Sequence, residues 1–569
     1  MPMDQGFSKS IGACFLASLS VVHVASAPIA SKPLPPEDVA RIDAAVPTRA
    51  QVTPLKPRRL LLFDLNVNYG GHPSARHAAE AFRLMGEKTG AFQVEVSRDP
   101  EVFRPESLRR FDAVFFNNTV GNLFTDPALR RSLIEFVVAG GGLMGTHGTA
   151  VAFTQWPGAI EDWPEFAALI GARGANHRDS DERVFVKLDD PDHPLNNGFG
   201  GSGFEFRDEF FRVHEPYSRD RVRVLLSFDT EKTDMNQGQA RGNCLRADND
   251  YAIAWARNYG RGRTFYCTIA HNPYVFWDPL MLRFYLRAAQ FVLGDLDAPT
   301  TPSARLDAAT RAQETLGWRS GFDLRPAPDQ TLFAAIDQAG AHGFAYTAIA
   351  GSPPLNSDVA STFGPGLSDA ELSAVRLRLD AAGLRLLTYT PDHTPPDLAG
   401  WRDLFTFARK LGVETVAAWP IAGQLPQVKD LCDELDIRLA LDPMAAPAHE
   451  ARPAPGELRK KCDALSPRIG VCGDVRGWRG VGVDPIDAVK VLGSRLFIVR
   501  MTRNDVNDTR WIEEIGRLRL KPTLFSWPVA GAGQGATQRF DPAIQAFQQA
   551  ALKLVSGIGR TDLSPAPTP

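Results

Sequence analysis

Cysteine is scarce in this chain, six in 569 residues, and no two form a C-x-x-C pair. That excludes a disulfide framework and a cysteine-built zinc site. An excess of either charge is lacking too. The formal net charge is -3, from 63 Lys and Arg against 66 Asp and Glu, so nothing in the balance points to nucleic acid as a partner. Past the first thirty residues no apolar run is long enough to span a bilayer. What remains, 44% hydrophobic and 23% charged over 569 residues, is the composition of a globular protein of two or three domains.

The amino terminus departs from this background. Lys9 precedes an apolar stretch over 11–25 that ends in Val24-Ala25-Ser26-Ala27, the pattern of a secretory signal with small residues for cleavage. Residues 1–27 are therefore read as a signal peptide and the mature protein as periplasmic or secreted. Five cysteines would then stay in the mature chain (Cys244, Cys267, Cys432, Cys462 and Cys472), expected mostly as buried free thiols. Residues 28–57, rich in Pro, Ala and charge without an apolar period, read as a linker.

From Arg59 the pattern alternates. Strands at 59–64, 92–96, 113–118 and 143–147 are separated by helices at 74–89, 105–110 and 126–138. Such alternation predicts an α/β fold on a doubly wound, mainly parallel sheet whose ligands gather at the carboxyl ends of the strands. A hairpin is expected about Gly260-Arg261-Gly262, with a closing helix over 279–293. Residues 296–315 turn polar and Pro/Thr-rich and read as a second linker. Over 316–557 a strand–helix unit repeats eight times, the count and size of a (β/α)8 TIM barrel. Residues 558–569 read as a disordered tail.

Gly140-Gly141-Gly142-Leu143-Met144-Gly145-Thr146-His147-Gly148-Thr149 organises the first domain. Gly145 and Thr149 stand two residues either side of His147, the spacing of a nucleophile elbow, which needs small neighbours because its central side chain projects from a strained turn. Seven of eleven histidines, 72 through 271, fall in this domain. His72 follows the first strand, His147 ends the fourth and His271 follows the strand over 265–269. Glu209 lies between Phe206 and Phe210. Imidazoles converging with a carboxylate make a metal site or a general acid/base site, so His147, Glu209 and His271 are the catalytic candidates. His72, Asn117, Asn118 and His177 are read as substrate-binding, and the cluster admits a divalent metal. His77 and His214 read as exposed or helix-surface residues, and His193, before Pro194, as a turn residue or a ligand.

Gly71-His72 ahead of Gly86-Glu87-Lys88, Phe115-Phe116-Asn117-Asn118-Thr119, Gly141 through His147, Asp192-His193-Pro194 and Phe206-Arg207-Asp208-Glu209-Phe210 form a set. With it, residues 58–295 resemble the ThuA-like (trehalose-utilisation) family on the class I glutamine-amidotransferase-like fold. The resemblance implies an elbow where the amidotransferase cysteine has become His147, so glutamine hydrolysis is not expected. It implies instead a role on sugars or oxidised (keto) glycosides. Where the family often has Glu-x-Tyr near Glu209, this chain has Phe211.

Residues 316–557 resemble the xylose-isomerase-like barrels of sugar isomerases and epimerases, on Gly383-Leu384-Arg385-Leu386-Leu387-Thr388-Tyr389 and Asp474-Val475-Arg476-Gly477-Trp478 with Val483-Asp484-Pro485. The family holds a divalent metal with acids and a histidine at strand ends. This chain keeps Asp474 but has Gly477 at the histidine position and Arg500 on strand seven, so a degenerate barrel without a metal is implied. Arg500 is expected to occupy the vacated position and pair with Asp474, and with Asp442 as a second partner; both Asp474 and Arg500 are read as substrate-binding. The partner expected is a small carbohydrate; the oligomer stays unassigned. The alternative left open is a non-catalytic carbohydrate-binding or scaffold protein.

Overall fold

The computed structural model describes residues 33–156, 159, 161–327, 329–421, 423–446, 452–502, 508–528 and 542–557. The signal segment and closing tail read from the sequence lie outside them. The first domain is built on β1 (Arg59–Phe63), β2 (Gln93–Ser97), β3 (Ala113–Phe116), β4 (Gly142–Thr146), β5 (Arg173–Asn176), β6 (Glu182–Leu188), β7 (Phe204–Asp208), β8 (Arg212–His214), β9 (Arg223–Phe228), β10 (Ala252–Tyr259) and β11 (Gly262–Cys267). Nine of them form one sheet in the order β2-β1-β3-β4-β11-β10-β9-β6-β7, while β5 and β8 pair separately. The stretch from β2 to β11 is parallel; from β11 to β7 every pairing is antiparallel.

The β1 run Arg-Leu-Leu-Leu-Phe is apolar without alternation because both faces of the parallel region are covered. Leu60 and Leu62 pack with Phe82 and Met85 of helix Ala75–Thr89 and Phe284 of helix Pro279–Val292. Leu61 and Phe63 pack on the other face with Leu133 and Val137 of helix Pro127–Val138. Two helices stand where linkers were read. Pro36–Ala45 buries Ile42 in the first core, and Ala308–Leu316 buries Ala312 in the barrel core. His77, read as a surface residue, is buried beneath the first of these helices: its Nε2 lies 3.2 Å from Asp38 and its ring packs against Trp277. His214 is exposed. His193 is the turn residue, accepting from the Leu195 amide and facing the Pro299 carbonyl at 2.9 Å.

The second domain is a closed parallel barrel of eight strands. They are β12 (Ser320–Leu324), β13 (Tyr346–Ala350), β14 (Arg385–Thr390), β15 (Thr415–Ala418), β16 (Arg438–Leu441), β17 (Ile469–Asp474), β18 (Leu496–Arg500) and β19 (Leu524–Pro528). The cysteines Cys244, Cys267, Cys432, Cys462 and Cys472 are free and buried. Among the described residues no helix is long and apolar enough to cross a membrane.

Candidate functional site

The β4–β11 neighbourhood places two histidines side by side, because the strands are parallel and Thr146 pairs with Cys267. His147 follows β4 directly and His271 stands four residues beyond β11. The His147 backbone has φ +38°, in the left-handed region that disfavours side chains beyond Gly, Asn and Asp. The turn is held by Thr149, whose hydroxyl faces the Phe116 carbonyl at 2.8 Å and the Thr146 amide at 3.2 Å. A Cβ on Gly148 would come within 2.6 Å of His72 Cε1, so this residue must be small for His72 to enter the cluster.

Glu209 arrives from β7 at the far edge of the sheet, carried back by a crossing segment. The Asp208 carboxylate accepts from the amides of His271 and Asn272, both at 3.0 Å, and the Phe211 amide donates to Thr268 Oγ1 at 3.0 Å. Asp208 is the site residue without a role in the sequence reading, and Phe211 enters there only as a replacement for the family's tyrosine. Phe211 lays its ring on His147 at 3.9 Å between centroids, a packing contact that a hydroxyl is not needed for.

His72, His147 and His271 each offer a ring nitrogen, and these atoms lie within 4.8 Å of one another. Glu209 faces the cluster: Oε1 is 3.3 Å from His147 Nε2, and Oε2 is 3.2 Å from His177 Nδ1 and 3.8 Å from His271 Nε2. His147 Nδ1 faces the Thr268 carbonyl at 2.9 Å, and His72 Nδ1 the Asn118 carbonyl at 3.3 Å. A carbonyl only accepts, so each Nδ1 carries the proton and each Nε2 presents a lone pair to the cluster. Backbone carbonyls that fix this tautomer are the usual second layer of metal-ligating histidines.

Electrostatics sharpen the point. His147 is fully buried; burial lowers its pKa despite the Glu209 carboxylate beside it. Burial, then His147 and His271, hold His72 well below the ordinary value. Burial resists ionisation of Glu209, but hydrogen bonds from His147 and His177, with the charge of His147 and His271, outweigh it and hold the carboxyl well below its usual range. His147 Nε2 and the Glu209 carboxylate lie 3.3 Å apart, and among the described residues that buried nitrogen has no other hydrogen-bond partner. A neutral ring facing an ionised carboxylate there is satisfied by a shared cation, a proton on Nε2 or a metal ion. Three imidazoles and a carboxylate are a donor set for Zn²⁺ or a neighbouring first-row divalent ion, whose bonds of about 2.0–2.2 Å would draw the ligands closer together.

His177, at the open rim, behaves differently. Burial opposes its protonation, but Glu209 outweighs this and its pKa is raised. Burial pushes Asp208 up to about 8 against its backbone donors. Asn117 and Asn118 sit beneath the cluster with their side chains turned to the scaffold. Asn117 donates to the Ala75 carbonyl at 2.8 Å, and Asn118 to Ser74 Oγ at 3.0 Å and the Ala270 carbonyl at 2.8 Å.

In the barrel, Arg500 does reach into the mouth, but its partner is Asp442 at 2.6 Å, with Thr390 Oγ1 at 3.2 Å. The expected pair with Asp474 does not form. Although Asp474 is Arg500's register neighbour, its carboxylate accepts from the Gly477 amide at 2.8 Å and caps helix Val475–Gly480. A helix start needs such an acceptor, and the cap takes the carboxylate away from Arg500.

Fold and site together define an α/β protein with a histidine–carboxylate cluster at a sheet edge, joined to a (β/α)8 barrel. Residues 59–292 match the family model ThuA, described as trehalose utilisation, so the first domain is a ThuA domain. No curated protein sequence matches the chain. Among solved structures, a ThuA-like protein from Bacteroides uniformis is similar at 19% identity, TM-score 0.34, over 42% of this chain and 93% of that one. A protein of undescribed role from Parabacteroides distasonis is similar at 19% identity, TM-score 0.36, over 41% of this chain and 99% of that one. The 3-keto-D-glucoside 4-epimerase of E. coli is similar at 10% identity, TM-score 0.30, over 42% of this chain and 99% of that one. At such identities and scores the likenesses assign no activity.

Proposed function

We propose that the ThuA domain processes a carbohydrate, a sugar or keto-glycoside, at a divalent ion held by His72, His147, His271 and Glu209. The observation that carries the reading is the convergence of His72, His147 and His271, whose ring nitrogens lie within 4.8 Å of one another, with the Glu209 carboxylate 3.3 Å from the buried His147 Nε2. The family description of residues 59–292, trehalose utilisation, supports carbohydrate as the substrate class. A divalent ion bound there would supply Lewis acidity to a sugar carbonyl or to paired hydroxyls. The protein's own part is to hold the ligands. The Thr268 and Asn118 carbonyls fix the ring tautomers, Phe211 wedges His147, and Asp208 pins the His271 loop.

His177, 30% exposed and with raised pKa, is the group at the rim able to hold or pass a proton. Tyr69, 42% exposed and 5.1 Å from His72, presents an aromatic face to an entering sugar ring. With a histidine at the elbow, glutamine hydrolysis through a thiolate has no nucleophile there. The test is turnover of a panel of glucosides and 3-keto-glucosides before and after chelation. Turnover of a keto-glycoside that falls at least about tenfold on chelation and returns with Zn²⁺ or Mn²⁺ is expected. Neither turnover nor sugar-induced stabilisation in the metal-loaded protein would overturn the reading.

We propose further that the barrel does not run metal-dependent isomerisation. Arg500 brings a guanidinium to the mouth, where it neutralises Asp442, and Asp474 is committed to a helix cap. The apolar segment over 11–25 supports export; recovery of Met1-containing protein from the cytosol would contradict it.

A further inference from the structure

Both domains meet by the amino ends of their strands, so the histidine cluster and the barrel mouth face away from the junction. Between them lies a cavity of about 1010 Å³ lined by nine arginines and lysines against six carboxylates. Most of those carboxylates are already engaged. Glu414 takes both donors of Arg319, at 2.7 and 2.8 Å, and Arg385 at 2.6 Å. Asp436 holds Arg261 and Arg468, while Asp190 and Glu314 hold Arg223. The other two, Asp192 and Asp297, are exposed.

Three guanidiniums are left short of charge. Arg263, the second residue of β11, and Arg438, at the start of β16 with its guanidinium over the Phe497 ring, make no ion pair or side-chain hydrogen bond among the described residues. Arg385, at the start of β14, shares Glu414 with Arg319, and its buried Nε has no hydrogen-bond partner among the described residues. Burial lowers the pKa of Arg263 and Arg385, opposed by the charge of Asp297 and Glu414 and reinforced by neighbouring arginines, while Arg438 is exposed. Guanidiniums in excess over carboxylates along an open cavity make a basic surface that attracts an anion. Their planar forks match the paired oxygens of phosphate and carboxylate.

We propose that this interdomain cavity binds a small polyanion, a molecule with two or more phosphate or carboxylate groups, gripped by Arg263, Arg385 and Arg438. The site is separate from the histidine cluster and does not depend on the reading of that cluster. Its test is calorimetric titration of the full chain with pyrophosphate and, in a second arm, with citrate, each against sodium chloride of matched ionic strength. Saturable binding of one equivalent in one arm is expected, and the stronger arm decides between phosphate and carboxylate chemistry.

Binding should weaken at least tenfold in the R263Q/R438Q double variant and by a smaller factor in Arg438→Gln, whose solvent-facing side chain leaves folding intact. It should be unchanged in His147→Ala, which excludes chelation at the histidine cluster. No saturable heat in either arm, or equal affinity in the double variant, would overturn the proposal.

Discussion

His147 carries two burdens at once: a backbone at φ +38° and a fully buried ring. In the left-handed region an Asn pays less strain than an Ala, by about 1 kcal/mol. His147→Asn is therefore expected to unfold at higher urea than His147→Ala by about that margin, read from two denaturation midpoints. Equal stabilities would mean that the elbow strain is not real. The histidines and Glu209 were legible in the sequence because each follows a strand or sits between aromatics. Asp208 was not, since it acts through the amides of His271 and Asn272, and an amide leaves no mark on a residue pattern. Phe211 was legible only as a departure from a familial tyrosine; its contact with His147 depends on a crossing segment that periodicity does not describe.

Among elements, strands were read most securely and short helices least. The eight barrel strands emerge from repeated apolar runs, whereas helix Val475–Gly480 is six residues long and carries two glycines and two arginines. Without that helix Asp474 is free to be expected as the first partner of Arg500, and the second expected partner, Asp442, is the one that pairs. Asp442 is 3% exposed at the side chain and also accepts from the Met444 amide at 3.0 Å. Arg500→Met should destabilise the barrel by about 3 kcal/mol, because it leaves a buried carboxylate unpaired. Adding Asp442→Leu should recover most of that loss. A double variant no more stable than the single one would show that the pair is not the source of the cost. Helix Pro36–Ala45 escaped notice for a related reason: Pro, Ala and charge dominate it, and Ile42 is its one buried side chain.

At the scale of the molecule, the two-domain organisation was legible from the change of pattern near residue 317, but the docking of the domains was not. It rests on pairs far apart in sequence, such as Arg257 with Asp380 and Arg376 with Glu165 at 2.5 Å. Arg257 and Asp380 are 6% and 3% exposed at their side chains. Asp380→Ala leaves Arg257 buried without its carboxylate, at a cost of about 3–5 kcal/mol. The expected outcome is thermal unfolding in two separated transitions where the parent shows one. A single transition at unchanged temperature would mean that the junction is held elsewhere.

Whether the histidine cluster is a metal centre decides the chemistry of the first domain. The direct measurement is the metal content of purified protein, stripped and then reloaded with Zn²⁺, Mn²⁺, Fe²⁺, Co²⁺ or Ni²⁺, beside His147→Ala treated the same way. One tightly held equivalent in the parent, falling to a small fraction of that in a folded His147→Ala, is the predicted result. A parent that retains none of these ions after reloading, or a variant that retains as much as the parent, would contradict it.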